Sequence, residues 1–219
     1  MNRAAIYSVL TLATACSCLL EYWGVRLFHH FSVSQQNRIA IALLGGCALA
    51  VAAFRANIIA TNCFVLAAGL VAATALSRQI GSVGALSTML IVAGIVDLIS
   101  AHAGPSRWLV DQAQHARGVT VLQFLAISLR LKGRLVPVIG AGDLMFFAVV
   151  VTVVRRLGWS DTTALIVPLA GILSALGVGL YAGFTRALPF LAGAVLWYAR
   201  NLRTSHAADG FASTPRTVA

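Results

Sequence analysis

The 219-residue chain holds six acidic side chains, Glu21, Asp97, Asp111, Asp143, Asp161 and Asp209, and two of them stand where carboxylates are costly. Asp97 sits in Gly94-Ile95-Val96-Asp97-Leu98-Ile99, and Asp143 in Gly140-Ala141-Gly142-Asp143-Leu144-Met145-Phe146-Phe147. A charged carboxyl near the middle of a bilayer costs roughly 2.5–3.5 kcal/mol on insertion scales, so such acids mark a site or an ion pathway. Two carboxyls held a few ångströms apart cannot both ionise, and they share one proton. The ionised member deprotonates a water. The protonated member polarises the scissile carbonyl and later feeds the leaving amine. That chemistry is aspartyl peptide hydrolysis, and it calls for no metal and no cofactor. Paired intramembrane acids equally serve proton- or cation-coupled transport.

The other acids have ordinary places. Asp209 lies in the tail and Asp111 in a loop, while Asp161 follows Ser160 at the start of an apolar segment, where an acid favours a helix N-terminus. Glu21 interrupts the first apolar run and is within reach of a membrane interface if that run is a long helix. The cysteines, Cys16, Cys18, Cys47 and Cys63, fall within apolar segments and match neither zinc nor redox spacing. They read as small helix-packing side chains.

Composition defines the elements that must position Asp97 and Asp143. Hydrophobic residues make up 59% of the chain and charged residues 10%, with a mean hydropathy of +0.88. A soluble domain carries roughly a quarter charged residues. The pattern predicts an all-α integral membrane protein, a multi-pass bundle of about seven transmembrane helices, over 4–28, 39–54, 58–76, 80–101, 135–154, 162–184 and 187–199. The second and last are short. Arg55 separates spans two and three closely enough to require a tight hairpin, the alternative being that it sits inside one longer tilted element. The start of the chain resembles a signal peptide, but its apolar run continues to Phe28, as an uncleaved first helix would.

Three parts follow: N-terminal helices over 1–79, acid-bearing helices over 80–200, and a Ser-, Thr-, Ala- and Gly-rich tail over 201–219 that is expected to be disordered. Within the second part, loop 102–134 carries Arg107, Arg117, Arg130, Lys132 and Arg134 against Asp111 alone, which argues for the cytoplasmic side. With seven spans and this loop inside, the Lys and Arg of the whole chain, loop included, divide evenly between the two faces. Residues 119–129 of that loop are apolar and suit a short interfacial helix or a strand. The net charge of +10 flanks apolar segments rather than forming a patch interleaved with aromatics, so the expected surroundings are membrane lipid, with no nucleic acid.

Spans four and five run antiparallel on either side of that loop. At about 1.5 Å per helical residue, Asp97 and Asp143 both fall within roughly 6–12 Å of one membrane face. Gly140 and Gly142 leave no side chain beside the second acid to block a neighbouring helix or a peptide backbone. Ordinary small-residue helix packing also accounts for them.

At these residues the chain resembles the presenilin and signal-peptide-peptidase family of GxGD intramembrane aspartyl proteases. Val96-Asp97, continuing Leu98-Ile99-Ser100-Ala101-His102, is similar to the family's first catalytic block, normally Tyr-Asp. Gly140-Ala141-Gly142-Asp143 matches the second. Ala187-Leu188-Pro189-Phe190-Leu191 resembles the Pro-Ala-Leu block that opens the family's last helix. The resemblance covers residues 80–199 and departs at Val96 for tyrosine, at Phe190 for alanine, and in having seven expected spans where the family has nine. It implies catalysis by Asp97 and Asp143. It also implies an active site lined by Val96, Ala141, Leu188, Pro189, Phe190 and Leu191, and transmembrane helical peptides as substrates. Such a substrate must partly unwind, and the resemblance implies that its extended stretch pairs with an edge strand. Residues 119–129, or those just before Pro189, would supply that edge.

The rival readings are distinct. Prepilin peptidases also carry GxGD but place a lysine soon after the second acid, where this chain has Leu144, Met145 and Phe146. A coupled transporter predicts flux without cleavage, and no internal repeat supports it. A silent membrane scaffold predicts that both acids tolerate Asn. Sequence alone leaves open whether the chain acts alone, as a homo-oligomer or with partner subunits.

Overall fold

The computed structural model describes residues 3–53, 57–103, 124–131, 134–182 and 187–212. Among them are seven helices and one β-hairpin: α1 (Arg3–Phe28), α2 (Val33–Ala53), α3 (Ile58–Ser77), α4 (Val83–Ala103), β1 (Ala126–Leu131), β2 (Arg134–Gly140), α5 (Ala141–Arg156), α6 (Asp161–Ala182) and α7 (Ala187–Ala212). Four segments are long and apolar enough to cross a membrane: Ala5–Phe28, Val33–Ala53, Ile58–Ser77 and Asp161–Gly179. The apolar part of α4, Val83–Ile99, is shorter. The architecture is a helical bundle with the character of a membrane protein.

The bundle is built around α5. Leu144 and every residue from Phe147 to Val154 are buried, so this helix is covered on all sides. A helix that is apolar all round is stable only inside a larger assembly. Here α3, α1, α6 and α4 pack against it. Its one mid-helix hydroxyl, Thr152, is satisfied by donating to the Ala148 carbonyl at 2.7 Å. By contrast α2 buries no side chain and packs on α3 alone among the strongly contacting elements, which leaves most of its apolar surface uncovered by the described residues.

The far end of α5 is pinned. Arg155 Nε lies 2.9 Å from Asp161 Oδ1, Arg26 reaches the same carboxylate at 3.5 Å, and Arg156 donates to the Ser77 carbonyl at 3.0 Å. Asp161 therefore ties α1, α5 and α6 together at the start of α6, beyond favouring that helix terminus. Gly158, with φ +88°, makes the reversal between α5 and α6, a conformation that side-chain-bearing residues rarely adopt.

Several expectations are corrected. The fifth span does not run over 135–154 as one helix, because residues 134–140 form β2 and the helix begins at Ala141. Pro137 has no N–H and disfavours helical geometry in the residue before it, while Val136, Val138 and Ile139 are β-branched. Loop 102–134 is likewise not loop throughout, since β1 pairs antiparallel with β2 and supplies the strand anticipated in 119–129 from Ala126 onward. Residues 104–123 lie outside the described residues. The second helix starts at Val33 rather than 39, which makes it 21 residues long. Residues 54–56 also lie outside, but Asn57 caps α3 and α2 packs against α3, as a hairpin requires. Helix α7 continues to Ala212, beyond residue 199 where the last span was expected to end.

Candidate active site

The second acid stands at a strand-to-helix junction. Gly140 is both the last residue of β2 and the N-cap of α5, with φ −69° and ψ 147°, and Asp143 lies in the first helical turn. The unpaired amides of a helix N-terminus favour a negative charge there. The Asp143 carboxyl folds back over the cap, so that a Cβ built on Gly140 would lie 3.2 Å from its Oδ2. Gly142 is open, with nothing among the described residues within 4 Å of such a Cβ. The two glycines of the motif thus do different things: Gly140 makes room for the acid, and Gly142 leaves space beside it. Ala141 between them is half-buried.

The first acid lies on the inward stripe of α4. Leu86, Leu90 and Gly94 are buried at helical spacing, and Asp97 is half-buried one turn beyond Gly94. Val96 is off this stripe and 59% exposed. Helix α4 packs against α7, and at Gly94 an added Cβ would lie 3.6 Å from both Pro189 N and Pro189 Cγ. Pro189, near the start of α7, needs no N–H of its own there. Leu188 and Leu191 are buried, Phe190 is half-buried, and Gly171 of α6 lets the α7 backbone pass so closely that a Cβ would come 2.9 Å from the Leu191 Cα. The Pro189 block is therefore wedged between α4 and α6. Its outer side, with Ala170, Ser174, Gly193 and Trp197, lines an apolar groove of about 550 Å³.

Chain direction brings the two acids to one end of the bundle. Arg156 on Ser77 sets the end of α5 beside the end of α3, and the short turn after α3 starts α4 from that same end. At ~1.5 Å per residue, Asp97 stands about 21 Å along α4 from Val83, and Asp143 about 20 Å back along α5 from Arg156. Helices α4 and α5 are in contact.

The hairpin completes this end. Asn62 of α3 accepts from Ser128 N at 2.9 Å and donates to Ser128 O at 2.8 Å, so its side-chain amide occupies the outer edge of β1. Ser128 faces Pro137, and Arg130 faces Leu135, in the register. If Ser128 turns its backbone groups away from β2, then Leu135 and Pro137 turn theirs away from β1. Among the described residues no strand pairs with that outer edge of β2.

Glu21 is the acid whose burial sequence reasoning did not anticipate. It is 2% exposed, with its carboxyl turned from α1 toward Gly69 of α3. The signal that could have found it is its own helix face, since Thr14, Ser17, Cys18 and Val25 at helical spacing are buried as well.

No protein-family model, curated protein or solved structure matches the chain.

Proposed function

We propose that the chain is an intramembrane aspartyl endopeptidase in which Asp97 and Asp143 cleave peptide bonds of transmembrane helices. The reading is supported by chain geometry: at ~1.5 Å per residue each acid lies about 20 Å from the same end of two helices that touch, and Pro189 packs on Gly94, one turn before Asp97. The resemblance to the presenilin and signal-peptide-peptidase family, through Val96-Asp97, Gly140-Ala141-Gly142-Asp143 and the Pro189 block, belongs to the same proposal.

The roles divide by local electrostatics. Asp143, in the first turn of α5, is the member that carries charge and activates water, because the helix N-terminus stabilises its carboxylate. Asp97 lies inside α4 without that help, and it holds the shared proton, polarises the scissile carbonyl and protonates the departing amine. Gly142 leaves the face beside Asp143 clear for a substrate backbone. The unwound substrate stretch adds to the outer edge of β2, which leads directly into the Asp143 turn. The outer edge of β1 is the poorer choice, since Asn62 already takes its groups at Ser128.

The test is photo-crosslinking of the solubilised protein to a hydroxyl-containing mimic of the aspartyl-protease transition state, with unlabelled competitor. Specific labelling of wild type that is lost in Asp97→Asn and Asp143→Asn is the expected result. A well-folded wild type that takes no label overturns the proposal and directs attention to ion-coupled flux.

A further inference from the structure

The end of the bundle away from Asp97 and Asp143 carries arginines that the proposed chemistry does not use. Arg26 and Arg155 share the Asp161 carboxylate, which is thereby committed. Arg156 and Arg78 meet only neutral acceptors among the described residues. Arg156 Nη1 donates to the Ser77 carbonyl at 3.0 Å, while Arg78 donates from Nη2 to Gln36 Oε1 at 2.8 Å and from Nη1 to Asn37 Oδ1 at 3.4 Å. Two guanidiniums, one from the end of α5 and one from the end of α3, thus meet consecutive residues of the chain, and both arginines are exposed. A guanidinium has five N–H donors and stays charged in a protein. Each therefore keeps spare donors and a charge that no described carboxylate answers.

These arginines stand at the level of a membrane–water boundary. Arg26 Cζ lies over the ring of Trp23, 5.2 Å from its centroid, and Trp159, just after α5, packs on Tyr198 with ring centroids 4.5 Å apart. Amphipathic rings and arginines collect at that boundary. Helix α2 changes character at the same level. Ser34 to Arg38 are polar, whereas residues 39–53 contain no charged, amide or hydroxyl side chain. On the face of α2 that holds Asn37, the partner of Arg78, Ile41 and Ala48 follow at helical spacing, and both are exposed, Ile41 at 75%. An uncovered apolar strip therefore leads away from Arg78 along α2.

We infer that this corner binds an anionic glycerophospholipid, its phosphate on Arg78 and Arg156 and its acyl chains along the Asn37, Ile41 and Ala48 face of α2. Charge selects the headgroup, because phosphate oxygens accept paired N–H bonds from a guanidinium, whereas a zwitterionic headgroup brings its own cation to a site already positive. The strip selects a lipid over a free phosphate, because only a molecule with chains covers it. Bound there, the lipid joins α2, which packs on α3 alone among the strongly contacting elements, to the end of α5. The inference does not rest on the protease reading.

The experiment is native mass spectrometry of the full chain in detergent micelles, titrated with phosphatidylglycerol or with phosphatidylcholine of the same chains. Wild type should retain phosphatidylglycerol in preference, and Arg78→Gln and Arg156→Gln should each weaken that retention roughly five-fold while leaving phosphatidylcholine as it was. Arg130→Gln, the same loss of charge on β1 at the other end of the bundle, should change neither. Equal retention of the two lipids by wild type, or an equal loss in Arg130→Gln, overturns the inference. A competitor arm adds glycerophosphoglycerol, which is the same headgroup without chains, and separately inorganic phosphate. Displacement by either at a concentration equal to that of the lipid assigns the site to a free phosphate and refutes the lipid. Thermal unfolding gives a second readout. Phosphatidylglycerol should stabilise wild type and Arg78→Lys, which keeps the charge, but not Arg78→Gln, and a rise shared by Arg78→Gln shows that the lipid acts elsewhere.

Discussion

Replacing Gly140 with alanine separates the geometry of the Asp143 carboxyl from the stability of the fold. The backbone at Gly140, φ −69° and ψ 147°, is ordinary for any residue, so the substitution adds no conformational strain. Loss of glycine at an N-cap costs at most about 1 kcal/mol. The new Cβ would meet Asp143 Oδ2 at 3.2 Å, against an ordinary contact that begins at 3.4 Å. The carboxyl must therefore retreat by about 0.2 Å. If a 1 Å misplacement of a catalytic group costs ~100-fold, that retreat lowers kcat roughly 2.5-fold, or ~0.5 kcal/mol in the barrier. Gly142→Ala is the internal control, because an alanine Cβ there meets nothing among the described residues within 4 Å. It should leave unfolding unchanged and act, if at all, through KM. The assay is cleavage of a single-pass reporter helix in nanodiscs, with thermal unfolding measured in parallel. A Gly140→Ala enzyme with unchanged kcat, or a Gly140→Val enzyme no slower than Gly140→Ala, would refute the argument that Gly140 makes room for the acid.

Other substitutions probe the supports. Gly94→Leu drives a side chain into Pro189, and overpacking of this kind costs about 1–3 kcal/mol; both the unfolding temperature and mimic labelling should fall, and retention of both would show that the α4–α7 contact is dispensable. Asn62→Ala removes both bonds to Ser128, at a cost of about 1–3 kcal/mol for the backbone groups left behind, and should raise hydrogen exchange at the Ser128 amide. Leu135→Pro deletes an outward donor on β2 while leaving its pairing with β1, so cleavage should drop with the hairpin intact by exchange protection. Ile127→Pro, in the inward phase opposite Ile139, should instead destroy the hairpin itself.

Much of this was legible residue by residue. A 10% charged composition admits few solvent-facing surfaces, so apolar helices and the rarity of acids within them stand out directly. The boundaries of α1, α3 and α6 lie close to expectation because each apolar run ends at a local feature: Phe28 before a pair of histidines, Ser77 before Arg78, and Asp161 after Ser160. The β2 strand was legible too, but its signal was overridden. Pro137 and its β-branched neighbours contradict a helix over 135–140, yet apolarity by itself cannot separate a buried strand from a helical span. The start of α2 was missed for a related reason, since Ser34, Gln35, Gln36, Asn37 and Arg38 are polar. Gln36 and Arg78 satisfy one another across the α2–α3 pair only once the helices have packed.

What sequence by itself determined here is local: which segments are apolar, where chains of helical carbonyls must end, and which residues are too costly to bury without cause. Which side of each helix is covered was decided by tertiary structure. Glu21 and Asp209 are both single acids in the sequence, and only the packing of α1 on its neighbours seals the first of them against Gly69 of α3. Likewise Gly140 and Gly142 are equivalent letters of one motif, and only the fold of the Asp143 side chain makes one crowded and the other open. Spacing along a chain sets what can lie on one face, but a contact between faces depends on the directions and separations of whole helices, which no single segment encodes.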